Sequence, residues 1–248
     1  MRDLLNDWTN VALRLRTAGS IALFLDFDGT LTRHRDDPEK VTLSHAARRA
    51  LQRLVYHPAI RLIILSGRRQ DDLVRRVDVS RVRCVGLHGF ADAALPANVR
   101  ARLERAKRKL SRRIAGIPGL WLEDKCETFA LHYRCADPAS VQEGLARLRR
   151  VLAQFGDLRI LNGYRVWEVV PLEIPGKGAT ARRLWRSQRR PVLPVYIGND
   201  ETDEPAFLAL REGITVRVGS TCRSSAHYYL RNPDEVRRFL TKLETEVR

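Results

Sequence analysis

"IALFLDFDGTLT", residues 21–32, runs five apolar residues into a phenylalanine bracketed by two aspartates, then a glycine and two threonines. An unbroken apolar run of this length, closed by turn residues, reads as a strand over 21–26 buried on both faces, as the central strand of a parallel sheet is. Asp26 and Asp28 then stand at its carboxyl end. Open parallel sheets bind their ligands just outside those ends, so the position of the two carboxylates already points to a site.

The flanking sequence supplies the rest of such a sheet. A helix near 43–56, a strand over 60–65, a helix near 70–77 and a short strand around 83–87 alternate as right-handed β-α-β crossovers require. The pattern changes after that. A long basic helix over 97–113 leads into "LWLEDKCETFALHYR" (120–134), whose alternation predicts a half-buried antiparallel hairpin. A helix over 138–155 leads into a second hairpin, "LRILNGYRVWEVVP" (158–171), with its turn expected at Asn162-Gly163. The parallel pattern returns with a helix from about 177, a strand over 194–200, a helix near 203–211, the strand "ITVRVG" and a helix from 233. The expected organisation is an α/β core in two parts, 1–95 and 174–248, interrupted by a small α/β insertion over 96–173.

With 248 residues and 44% hydrophobic content, the chain can bury one large or two modest cores. No apolar run approaches the roughly 18 residues of a membrane span, and the first twenty residues lack the apolar stretch of a secretory signal, so a cytoplasmic location is expected. Cys84, Cys126, Cys135 and Cys222 show no metal-binding spacing and read as free thiols, with a Cys126–Cys135 pairing across the hairpin as the alternative. The formal charge of +16 favours anionic partners. The basic residues are nearly all arginines on helical stretches such as "ARLERAKRKLSRR" (101–113), which argues for a solvated surface rather than a nucleic-acid site.

Four polar clusters fall at strand or helix ends: Asp26 with Asp28; Ser66, Gly67 and Arg68; Lys177; and Gly198, Asn199, Asp200 and Asp203. Two carboxylates as close as Asp26 and Asp28 repel, so the pair implies either a bound divalent cation or a carboxyl with a raised pKa. The oxygen-only set of Asp26, the Asp28 carbonyl, Asn199 and Asp200 suits Mg²⁺ better than zinc. An aspartate beside such an ion can attack phosphorus, and its neighbour can move the proton. Ser66, the Gly67 N–H and Lys177 are the donors that phosphoryl transfer needs around the phosphate oxygens.

On these stretches the sequence resembles the haloacid dehalogenase (HAD) superfamily of phosphatases: "DFDGTLT", "LSGR", the lysine of "PGKGAT" and "GNDETDE" match its four motifs in order. More narrowly, it is similar to trehalose-6-phosphate phosphatases over nearly its whole length, in "GLHG", "EDKCETFALHYR", "RVWEVVP" and "YIGNDETDEPAF" besides the motifs. The resemblance implies a Rossmann-like core carrying an inserted C2-type, αββαββ cap, Mg²⁺ dependence, and hydrolysis of trehalose 6-phosphate through an aspartyl-phosphate. By motif, Asp26 would be the nucleophile, Asp28 the acid/base, Ser66 and Lys177 the phosphate binders, and Asn199 and Asp200 the residues at the metal, with Asp203 orienting them. Glu123, Lys125, His132, Arg134 and Glu168 would contact the sugar, and Gly67, Arg68 and His88 would also lie on the substrate side.

Two departures stand out. Asn199 replaces a usual carboxylate, which removes one charge from the metal site, and Leu87 replaces a usual polar residue before His88. Two other readings stay open from sequence: a phosphatase for a different sugar phosphate, such as a glucosyl- or mannosyl-glycerate phosphate, and, more remotely, a basic nucleic-acid-binding protein on this scaffold. Docking to a trehalose-phosphate synthase is a question the residues do not address.

Overall fold

The computed structural model describes the chain except for residues 36, 91–93, 189–190, 220–222 and 248. It divides into two compact units, one formed by residues 1–91 and 175–248 and the other by residues 92–174.

The larger unit is built on a seven-stranded sheet of β1 (Arg2–Asp3), β2 (Ile21–Leu25), β3 (Ile60–Leu65), β4 (Arg83–Val85), β9 (Leu193–Gly198), β10 (Ile214–Val218) and β11 (Tyr228–Leu230). Its spatial order is β1-β11-β10-β9-β2-β3-β4, and every pairing is parallel. Strand β2 is buried at all five residues, as its unbroken apolar run requires. Alternation sends Ile21, Leu23 and Leu25 to one face, where they meet Val11 and Leu15 of α1 (Trp8–Ala18), Leu51 and Leu54 of α2 (His45–Tyr56), Leu73 of α3 (Gln70–Val77), and Phe239 and Leu240 of α8 (Pro233–Glu246). Ala22 and Phe24 point the other way, onto Ala181 and Leu184 of α6 (Gly176–Arg186) and Phe207 of α7 (Glu204–Ala209).

Topology locates the site. From β2 the chain adds β3 and β4 on one side, whereas β9, β10 and β11 extend the sheet on the other. The β2–β9 boundary is therefore the topological switch point, and its carboxyl ends carry Asp26 and Asn199.

The smaller unit is a four-stranded antiparallel sheet, in the order β5-β6-β8-β7, made of β5 (Trp121–Asp124), β6 (Phe129–His132), β7 (Leu158–Gly163) and β8 (Val166–Pro171). Helices α4 (Ala97–Ile114) and α5 (Pro138–Leu152) pack on one another beside it, with Leu103, Leu110 and Leu148 buried. Asp137 starts α5 by accepting hydrogen bonds from the amides of Ala139 and Ser140, ahead of Pro138 in the first turn.

The second hairpin corrects the expected turn. Gly163 pairs with Val166 and Asn162 with Trp167, so Asn162-Gly163 forms the last rungs and Tyr164-Arg165 makes the turn, Arg165 at φ +56°. A turn at Asn162-Gly163 would set Leu161 opposite Tyr164 and Val169 opposite Gly156. The observed register instead gives six pairs and places Ile160 against Val169, so ladder length and apolar matching outweigh the local turn preference. Helix α1, the two-residue edge strand β1 and the three-residue strand β11 beside it were not expected from sequence.

Cys84, Cys126 and Cys135 are free thiols, so the Cys126–Cys135 pairing does not form; Cys222 lies outside the described residues. Among the described residues, no helix is long and apolar enough to cross a membrane.

Phe24 is fully buried and stacks on Tyr196 of β9 with ring centroids 6.2 Å apart. Phe24→Ala is expected to cost about 3–5 kcal/mol in urea-induced unfolding. A loss below about 1 kcal/mol would mean that this face of the sheet is not the packed core described here.

Candidate active site

The chain reaches the switch point with its polar groups already ordered. The Asp26 amide continues the β2–β9 ladder by donating to the Ile197 carbonyl at 2.9 Å, and the following residues curl back, with the Leu31 and Thr32 amides both donating to the Phe27 carbonyl. On β9, Gly198 ends the strand. A Cβ on Gly198 would lie 2.3 Å from Asp203 Cγ, so only glycine leaves room for the Asp203 carboxylate beneath the strand end. Asp200 caps the short 3₁₀ turn Glu201–Asp203 in a capping box with Asp203.

Asp203 is the anchor. It is fully buried and accepts four hydrogen bonds: from Lys177 Nζ (2.8 Å), Tyr196 Oη (2.8 Å), and the amides of Asn199 and Asp200 (both 3.0 Å). Lys177, in the first turn of α6, is buried as well and also donates to Asp26 Oδ1 at 2.7 Å. Burial works against the lysine's charge, but the carboxylates of Asp203 and Asp26 outweigh it and hold the Lys177 pKa above the usual range. One cation between two buried carboxylates leaves one negative charge in excess. Burial, opposed by Lys177 and reinforced by the Asp203 charge, pushes the Asp26 carboxyl up to about 8.

That excess is what a further cation would neutralise. In one orientation of the Asn199 amide, its Oδ1 lies 2.9 Å from Asp26 Oδ2 and 2.8 Å from the Asp28 carbonyl oxygen; Thr30 Oγ1 lies 3.2 Å from the same Oδ1. Adjacent ligands of an octahedral ion at 2.0–2.1 Å stand about 2.8–3.0 Å apart, and both of these separations from Oδ1 match that spacing. In the other orientation Nδ2 takes that place and donates to both oxygens, which satisfies the atoms without a cation. Among the described residues, no three His, Cys, Asp or Glu side chains are grouped as metal ligands. The groups that could hold a metal here are Asp26, the Asp28 carbonyl and the Asn199 amide. Asp200, the other expected ligand, uses its Oδ1 to accept from the Glu201 amide at 2.7 Å.

Asp28 and Arg68 form a pair that sequence reading did not foresee. Arg68 Nε and Nη2 donate to the two Asp28 carboxylate oxygens at 2.7 and 2.8 Å, while Nη1 reaches Asp72 and Nη2 also reaches the Pro38 carbonyl. The guanidinium expected on the substrate side is thus held as a fork on Asp28. Ser66 is buried at the end of β3 and accepts from the Arg68 amide at 3.1 Å, with Gly67 between them. His88 is buried at φ +54°, and the Leu87 and His88 amides donate to the carbonyls of Arg68 and Ser66, so "GLHG" braces the "SGR" loop through its backbone.

The smaller unit carries a second polar cluster. Glu123, Ala130 and Glu168 lie in one row across β5, β6 and β8. Lys125 Nζ donates to Glu168 Oε2 at 3.1 Å, Thr128 Oγ1 donates to Glu168 Oε1 at 2.9 Å, and His132 Nε2 lies 2.8 Å from Glu123 Oε2. Burial would push the Glu123 carboxyl up, but His132 and the Lys125 charge outweigh it and hold it below the usual glutamate range. The Trp121 indole stacks on the His132 ring at 3.8 Å. Arg134 lies past the end of β6, over the Tyr164 ring of the hairpin turn. Four of the five residues expected on the sugar side are therefore joined in two bonded pairs on one sheet face. Sequence reading missed Thr30, Tyr196, Thr128 and His34; the first three lay within quoted stretches and could have been named, while His34 lies outside them.

A family profile described as "Trehalose-phosphatase" matches residues 24–234. The probable trehalose-phosphate phosphatase 3 of Oryza sativa subsp. japonica is 32% identical over 254 residues, covering 90% of this chain and 69% of its own length. The trehalose-phosphate phosphatase of Mycobacterium marinum is 33% identical over 249 residues, covering 91% and 62%. The C-terminal domain of Candida albicans trehalose-6-phosphate phosphatase superposes with a TM-score of 0.83 at 22% identity over 96% of both chains, a likeness of fold.

The Asp26 environment sets a pH dependence. Its folded value lies above the ordinary 3.8, so the folded chain holds a proton that the unfolded chain has released between there and about 8. Stability should therefore fall as pH rises through that window, by at most about 1.4 kcal/mol per pH unit for one proton. Urea unfolding at pH 5, 6, 7 and 8 in chelator should show this slope in the native chain and a flatter one in Asp26→Asn. Equal slopes would remove the raised Asp26 from the account.

Proposed function

Because the chain belongs to the trehalose-phosphatase family, we propose that it hydrolyses trehalose 6-phosphate to trehalose and phosphate through an aspartyl-phosphate on Asp26, with Mg²⁺ as its metal. The observation that carries this reading is Asp26 itself: a buried carboxylate at the switch point, with Lys177 on one oxygen and a cluster of oxygens around the other.

Asp26 attacks phosphorus in line with the bond to the sugar oxygen. As that bond breaks, Asp28 gives its proton to the departing sugar oxygen, and trehalose leaves. Asp28, now a base, takes a proton from water, which attacks the phosphorus and frees phosphate and Asp26. Lys177, Ser66 and the Gly67 N–H hold the phosphate oxygens, where charge spreads in the transition state. Mg²⁺, held by Asp26, the Asp28 carbonyl and Asn199, would add positive charge beside the phosphate when bound. Arg68 acts on Asp28 as a positioning residue: it holds both oxygens of the carboxylate, so one contact must be released for Asp28 to take up from solvent the proton that it gives to the leaving sugar oxygen.

The sugar contacts fall to the smaller unit. Its connected carboxylates, ammonium and imidazole form a hydrogen-bonding face of the kind that orients a ring bearing many hydroxyls, and we assign Glu123, Lys125, His132 and Glu168 to that task, with Arg134 beside them. The free thiols of Cys84, Cys126 and Cys135 support a cytoplasmic location.

Phosphate release from a panel of sugar phosphates should be fastest with trehalose 6-phosphate, should stop in chelator and return with Mg²⁺, and should fall by at least about 10⁴-fold in Asp26→Asn. A different leading sugar phosphate would move the substrate within the same chemistry, and full turnover in chelator would remove the metal. Glu168→Gln separates the two units' roles. It should raise KM for trehalose 6-phosphate roughly tenfold or more while leaving hydrolysis of p-nitrophenyl phosphate near the native rate. An equal loss on both substrates would take Glu168 off the sugar.

A further inference from the structure

The substitution of an amide for a carboxylate at residue 199 creates a problem of orientation. A carboxylate presents an oxygen to a cation whichever way it turns. An amide presents either an oxygen or an NH₂ group, and at Asn199 the two choices are opposed: Oδ1 toward Asp26 and the Asp28 carbonyl suits a cation, whereas Nδ2 there hydrogen-bonds to both and repels one. Nothing on the Asp26 side settles the choice in favour of the oxygen. Thr30 Oγ1 lies 3.2 Å from the contested atom and, being a hydroxyl, can either donate to Oδ1 or accept from Nδ2.

The other end of the amide meets a side chain that can decide. His34 Nε2 lies 3.0 Å from the Asn199 atom turned away from Asp26. With Nε2 bare the ring accepts from Nδ2, and Oδ1 faces the oxygen cluster; with Nε2 carrying its hydrogen it donates to Oδ1, and Nδ2 faces the cluster, the arrangement that satisfies every atom when no cation is there. The contact has a built floor. Gly29, at φ +85° in the "DFDGT" turn, lies beneath both partners: a Cβ there would fall 2.2 Å from Asn199 Nδ2 and 2.4 Å from His34 Nε2. The missing side chain of Gly29 is the space in which the imidazole and the amide meet.

We propose that His34 is the positioning residue for the Asn199 carbonyl: its Nε2 accepts the amide N–H and thereby turns Oδ1 onto the cation site formed with Asp26 and the Asp28 carbonyl. The inference rests on the Mg²⁺ reading above and extends it to a residue outside the four motifs. It also explains how a chain with one acidic ligand fewer keeps an oxygen at that corner of the site. Outer partners of metal ligands act in this way, by fixing which atom a ligand presents.

A double-mutant cycle on metal binding tests it without reference to turnover. Mg²⁺ affinity is measured by isothermal titration calorimetry on the full chain for the native protein, His34→Ala, Asn199→Asp and the double variant. His34→Ala should weaken binding about 10–100-fold in the native background. With Asn199→Asp, where either oxygen serves, the same change should leave affinity within about twofold. Equal losses in both backgrounds, or no loss in the native one, would overturn the assignment of His34 while leaving the metal reading intact. A native chain that binds no Mg²⁺ would instead remove the metal reading and this inference with it. Should His34→Ala fail to fold, His34→Phe, which fills the space and accepts no hydrogen bond, carries the same expectation.

Discussion

A lysine held between two buried carboxylates is the constraint from which the larger unit's site is built. Burying three charges costs more than their mutual attraction returns unless every remaining oxygen and proton finds a partner. Asp203 meets that condition with four donors, two of them the backbone amides that follow β9. The same carboxylate therefore fixes the lysine, the path of the chain through Asn199 and Asp200, and the hydroxyl of Tyr196 in the core. Ionised, Asp26 carries a charge that Lys177 does not balance; a proton answers it in the metal-free chain, and the groups gathered around its second oxygen are those that a cation would use.

In the proposed reaction the two units would divide the chemistry by its physical demands. Attack on phosphorus needs preorganised charges in a site that does not relax, and the larger unit supplies these from the ends of central strands covered on both faces. Recognition of a hydroxylated ring needs many weaker contacts, and the smaller unit supplies a sheet face whose polar side chains are already paired with one another. Those internal pairs keep the face ordered, so little side-chain freedom remains to be lost on binding. Arg68 makes the corresponding arrangement around Asp28, spending its donors on Asp28, Asp72 and a backbone carbonyl.

Most of the core was legible in the sequence because each strand ends where an apolar run meets polar residues, and the fold places those ends side by side. Asp26 and Asn199 could be grouped on that ground, and Lys177 by its place at the start of a helix. Elements too short to show a period were not legible: β1, β11 and the 3₁₀ turn at Glu201–Asp203 exist through pairing and capping. The Asn162-Gly163 turn misled because a local preference of two residues competes with a six-pair ladder, and the ladder prevails. Neither the Arg68 fork on Asp28 nor the place of His34 could be read, since both depend on how side chains from distant loops meet.

The split core also has a consequence for the order in which the protein takes shape. Strand β2, at the middle of the sheet, is made early, yet its partner β9 lies on the far side of the intervening unit, and the contacts that define the site span 151 residues from Asp26 to Lys177 and 169 from Thr30 to Asn199. The intervening unit closes its sheet from adjacent hairpins and helices, contacts that form quickly because little chain must be looped to make them. During synthesis one edge of β2 must therefore wait, buried by nothing, until β9 emerges. The residues assigned to the chemistry are among the last to meet, and the unpaired edge of β2 in that interval is open to wrong pairing.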